Sequence, residues 1–65
     1  MTKQEIKQAL DEGKKIRHKY FSNDEFIAKL DNDWLIDEGG LHLPAEDFWA
    51  QREGGIWLND WSIVE

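Results

Sequence analysis

The hydrophobic period changes at Gly13, and that change constrains the fold more than any other feature of this 65-residue sequence. Before it, TKQEIKQALDEG (residues 2–13) places Ile6, Ala9 and Leu10 at i, i+3 and i+4, the stripe of an amphipathic helix. Thr2 with Glu5 three positions later forms a capping-box pattern, and Gly13 suits the left-handed position just past a helix end. After it, KKIRHKYF (14–21) alternates. Ile16, His18 and Tyr20 share one side of a strand, and Lys15, Arg17, Lys19 and Phe21 share the other. The first set is expected to face the core, which leaves the positive charge on the outer face.

The remaining chain reads as short strands punctuated by turns. SND (22–24) is turn chemistry and EFIAKL (25–30) a second strand, so the two strands are expected to form an antiparallel hairpin. DND (31–33) turns into WLID (34–37), and EGG (38–40) turns into LHL (41–43). Pro44 stops that strand, and AEDFWAQRE (45–53) follows as a short helix with acidic residues at its N-terminal end. GG (54–55) breaks the chain before IWLNDWSIVE (56–65), a closing strand with Trp57, Trp61 and Ile63 on one face. The expected fold is α+β: an N-terminal helix packed on a small antiparallel sheet of short strands, with a second short helix before the last strand. Residues 1–65 are expected to make a single domain.

Such a small domain buries a modest fraction of its surface, and with no cysteine no disulfide or thiolate zinc site can add to its stability. Four tryptophans, three phenylalanines and one tyrosine offer the compensation. They fit either a dense core or a subunit interface. No apolar run reaches the length of a membrane span, and the N-terminus lacks a signal-peptide pattern, so a soluble cytoplasmic protein is expected.

Charge is divided unevenly. Residues 1–19 hold six basic and three acidic groups, net +3, whereas residues 20–65 hold two basic and eleven acidic groups, net −9. The total of −6 argues against nonspecific nucleic-acid binding, which needs a broad positive surface. It leaves room for a small anion held by the local cluster Lys14, Lys15, Arg17 and Lys19. The acidic remainder supports another reading, a protein-interaction module steered onto a basic host protein, with a nucleic-acid mimic as one version of it.

Catalytic and metal patterns are absent. His18 and His42 have no ligand-spaced partner, and both read as structural. DNDWLIDEGG begins like a calcium loop, but Trp34, Leu35 and Ile36 stand where oxygen donors are required. Neither serine has a nucleophile elbow, and neither GG fits a phosphate-binding loop. No enzyme activity, cofactor or metal is expected. The chemistry left is a basic strand with aromatics beside it, Arg17 and Lys19 for phosphate and Tyr20 or Phe21 for a flat ring.

Gly13, Lys14, Ile16 and Arg17, the aromatics Tyr20 and Phe21, and the closing Asp60, Trp61, Ile63 and Val64 carry a resemblance. Together they resemble the small phage-encoded domains of the second Thoeris anti-defence family. The likeness covers both ends of the chain. It departs where family members usually carry tryptophan at Tyr20-Phe21, and in a shorter middle region. The resemblance implies a non-catalytic sponge: a homo-oligomer in the host cytoplasm that sequesters a cyclic-nucleotide or cyclic ADP-ribose-like immune signal. Its implied ligand-binding residues are Arg17, Lys19, Tyr20, Phe21 and Trp61.

Overall fold

The computed structural model describes residues 1–65. Helix α1 spans Lys3–Asp11 and is held at both ends by the residues its sequence supplies. Glu5 N–H donates to Thr2 Oγ1 at 3.1 Å, and Thr2 N–H donates to Glu5 Oε1 at 2.9 Å, completing the capping box. Gly13 sits at φ +86°. Its N–H reaches Leu10 O while Lys14 N–H reaches Ala9 O, the paired bonds of a Schellman ending. The Thr2 backbone N–H, then the Thr2 hydroxyl, hold the Glu5 carboxyl below the usual carboxylate range. Because its folded-state value is depressed, that stabilisation is present above the ordinary carboxylate range and is lost as pH falls through the folded value. Acid is therefore expected to fray the first turn of α1 before the core opens. Glu5→Gln should remove that early step, which amide exchange at residues 4–6 would follow.

Strands β1 (Lys15–His18), β2 (Ile27–Lys29), β3 (Trp34–Asp37), β4 (His42–Pro44) and β5 (Trp61–Val64) form one sheet in the order β4-β3-β2-β1-β5. Every neighbouring pair is antiparallel. Helix α2 (Ala45–Ala50) and a 3₁₀ turn (Gly55–Trp57) lie between β4 and β5. The expected α+β arrangement is the one found, with the second helix preceding the last strand.

Both helices pack on the same side of the sheet. Ile6, Ala9 and Leu10 of α1 and Phe48 of α2 join Ile16, Phe21, Ile27, Leu35 and Trp61 in one buried cluster. Trp49 and Trp57 pack against it half-buried, so a dense core accounts for three of the four tryptophans. Trp34 is the exception, 41% exposed.

The elements differ from the sequence reading where turns reset the alternation. β1 ends at His18, three residues before the expected end, because Phe21 N–H donates to His18 O and folds the chain back. The strand parity fails beyond that point. Tyr20, expected to face the core, is 59% exposed, while Phe21, expected outside, is buried. β2 is shortened to residues 27–29, since Glu25 belongs to the turn: its side chain accepts from Ser22 N–H. β4 is shifted by one residue, to 42–44, and includes Pro44, which sits at the sheet edge where no amide is required. α2 stops at Ala50, short of Gln51–Glu53. The closing segment is broken by Asp60 at φ +71°, which puts Trp57 in the 3₁₀ turn rather than on β5.

Candidate functional site

Side-chain alternation fixes the other side of the sheet. Ile16 and His18 point into the core, so Lys15 and Arg17 project from the opposite face. The register carries that face across the sheet. Lys15 lies beside Val64 and Arg17 beside Ser62, while Ala28, Ile36 and His42 form a continuous row over β2, β3 and β4. Trp34 and Pro44 extend it, and Phe26 and Leu30 flank β2 on the same side.

No helix covers this face. None of its residues is acidic, although the chain contains 14 acidic residues. It joins two cations to two large aromatics. Lys15 Nζ lies 4.9 Å from the centre of the Phe26 ring, a cation–π contact, and Trp34 leans against His42 with centroids 6.4 Å apart. Small Ala28 lies between them and leaves the surface shallow. Neighbouring strands lie about 4.8 Å apart and residues rise about 3.4 Å along a strand, so Lys15 on β1 and Trp34 on β3, two strands across and two residues along from each other, are roughly 12 Å apart.

Arg17 is half-buried at the end of this face. Its Nη2 is 3.4 Å from the carbonyl oxygens of Phe21 and Ser22, at the outer limit for a hydrogen bond. Its Nε is buried without a partner. The guanidinium is therefore held against the 19–22 turn by weak bonds. It keeps donor capacity that a stronger acceptor, such as a phosphate oxygen, would satisfy.

The structure separates the five site residues expected from the sequence. Arg17 is on the open face. Lys19 and Tyr20 lie in the turn past β1, where Lys19 Nζ sits 5.5 Å from the Tyr20 ring centre and Tyr20 stacks on His18 at 5.4 Å. Phe21 and Trp61 are in the core, 8% and 2% exposed, where a ligand on the sheet face does not reach them. Phe26 and Trp34 are the aromatics that share a face with Arg17. Strand parity was the signal for Trp34, but placing it on the face that carries Arg17 required the strand order and register.

Some of the acidic residues are engaged in local structure. Asp31 Oδ1 accepts from the N–H groups of Asp33 and Trp34, and Asp37 Oδ1 from those of Gly39 and Leu41. These are turn-forming bonds, which accounts for the calcium-like spacing without a cation. No group of three or more acidic or histidine side chains is placed to hold a metal ion. Arg52 is packed rather than presented. Its guanidinium carbon lies 3.9 Å over the Phe48 ring and 5.1 Å from Trp57. Burial pushes its pKa below the ordinary value, and the charge of Glu25 opposes that shift.

No protein-family model, curated protein or solved structure matches the chain. No helix is long and apolar enough to cross a membrane.

Proposed function

We propose that this chain is a non-catalytic binding protein that sequesters a small anionic, nucleotide-like ligand. The observation that carries the reading is the uncovered sheet face, where Lys15 and Arg17 stand with Phe26 and Trp34 and no strand residue pointing to that side is acidic. Cations meet phosphate and an aromatic face meets a base, and a separation of about 12 Å between Lys15 and Trp34 suits a ligand larger than inorganic phosphate. The resemblance to phage Thoeris anti-defence sponges supports the same reading and narrows the ligand to a cyclic-nucleotide or cyclic ADP-ribose-like immune signal in the host cytoplasm.

The ligand is held by a homo-oligomer. The chain measures 25 × 23 × 21 Å, and one shallow sheet face of that size cannot enclose a nucleotide alone. Pockets that bury most of a ligand form readily where subunits meet.

Native mass spectrometry of gently purified protein tests the proposal. A multimer releasing a few-hundred-dalton anion on denaturation is the expected result. In Arg17→Ala the retained ligand should fall about ten- to a hundred-fold, the value of one or two charge-assisted hydrogen bonds. Full retention by a folded Arg17→Ala protein would count decisively against this site.

A second reading has its own observation. Asp33 from the β2–β3 turn and Glu46 and Asp47 from α2 border one surface hollow beside Trp34. That acidic patch would serve an interaction module inhibiting a basic host protein, with salt-sensitive association as its mark.

A further inference from the structure

His18 is completely buried, the one polar residue that is, and its hydrogen bonds allow its ring a single form. Nε2 lies 3.0 Å from Ile56 O and 2.8 Å from Asn59 O. Carbonyl oxygens only accept, so Nε2 carries the hydrogen and shares it between them. Nδ1 lies 3.1 Å from the backbone nitrogen of Tyr20, whose N–H donates to it, so Nδ1 is bare. The neutral Nε2–H tautomer satisfies all three contacts. The imidazolium does not, because it would set a second N–H against that of Tyr20.

The bond at Nδ1 secures more than one amide. The turn it holds carries Lys19 and Tyr20, and the carbonyls of Phe21 and Ser22 in that turn hold the Arg17 guanidinium. The turn's other attachments are Lys19 N–H to Asp60 O, Phe21 N–H to His18 O, the paired bonds between Ser22 and Glu25, and the Phe21 ring in the core, so the segment freed first is Lys19–Tyr20. Trp57 and Trp61 enclose the ring, with centroids 4.4 and 4.8 Å away. The charged or titratable groups around it are Lys19 and Tyr20 on its own turn, Glu25 at the turn's far end, Asp60 ahead of β5, and Arg52 over Phe21 and Trp57. No carboxylate hydrogen-bonds the ring, so nothing replaces the lost acceptor when Nδ1 takes up a proton.

We infer that His18 is a proton-operated latch: neutral, it pins the Lys19–Ser22 turn against β5 and the 56–59 segment; protonated at Nδ1, it releases that turn while the sheet remains. Resting on the binding function proposed above, the latch makes capture of the anion reversible by acid, because Arg17 loses the carbonyls that orient it as Lys19 and Tyr20 move away.

Nitrogen-15 and amide-exchange NMR of the ligand-free chain tests the latch without any ligand. A His42→Gln background leaves one histidine to follow, titrated from about pH 8 down to about pH 4. The expected result is an Nε2–H tautomer at the neutral end. As His18 protonates, exchange at Tyr20 should quicken about ten-fold or more while Leu10 and Ile16 stay protected. Unchanged Tyr20 exchange during that protonation overturns the latch, and so does a ring that stays neutral until all amides exchange together. Native mass spectrometry of the captured anion over the same range addresses the binding function separately. Tyr20 release with no anion at any pH would leave the latch standing and remove the binding role.

Discussion

Replacing Trp61 with alanine is expected to take away most of the chain's stability. The side chain is 2% exposed and touches four aromatic neighbours: His18, Phe21, Trp49 and Trp57, with ring centroids between 4.8 and 5.9 Å away. Its indole N–H also donates to Trp57 O at 2.7 Å. Truncating a buried aromatic of this kind costs about 3–5 kcal/mol. A domain of this length has roughly 3–10 kcal/mol in all. Urea unfolding followed by circular dichroism should show a chain largely unfolded before denaturant is added, or a midpoint shifted far downward. Trp61→Phe should cost less, about 1–3 kcal/mol, because it keeps most of the contact area and leaves one carbonyl without its donor. The pair also separates two roles for the residue. If Trp61→Phe folded normally yet lost all ligand, Trp61 would have to line the site, against its position in the core.

Reversing the charge of the open face is expected to produce the largest functional change. Lys15→Glu with Arg17→Glu turns a net charge of +2 on that face into −2 and places carboxylates where an anion would sit. Like charges juxtaposed in a binding site cost several kcal/mol, so capture should fall about a thousand-fold or more. Lys15→Glu alone is the cleaner half of the experiment. Lys15 is exposed and its recorded aromatic partner is Phe26, whereas Arg17 also braces the 19–22 turn. Calorimetry against the released anion, with thermal melts to show an unchanged fold, reads both variants. Undiminished affinity in the double variant would remove the sheet face from consideration.

The parts of the fold that were legible in the sequence are those decided by neighbours along the chain. Thr2 and Glu5 cap α1, Gly13 ends it, and residues 34–37 form β3 as their alternation implies. Reading failed where a side chain's place depends on a distant partner or on one backbone bond. Phe21 is core because Phe21 N–H turns back onto His18 O, which alternation cannot register. Trp57 leaves the last strand because Asp60 takes a left-handed backbone conformation, a conformation that aspartate tolerates better than most residues. The open face was half visible. Lys15 and Arg17 were on the outer side from the start, but Phe26 and Trp34 join them only through the register of β1 with β2 and the order of β2, β3 and β4.

The placement of β1 also bears on how fast the chain can reach this state. Ile16 pairs with Ile27 on one side and with Ile63 on the other, separations of 11 and 47 residues. Closing the longer loop costs about 1 kcal/mol more in chain entropy if nothing else has formed. The meander from β1 to β4 therefore has the kinetic advantage, and α1 can dock on it locally. β5 is expected to arrive last, bringing Trp61 and with it the enclosure of His18. Until then β1 is an unprotected edge, with its amides free on the side where β5 belongs. The pairing that completes the core is thus expected to form late, and the interval before it forms is when another copy could pair in its place.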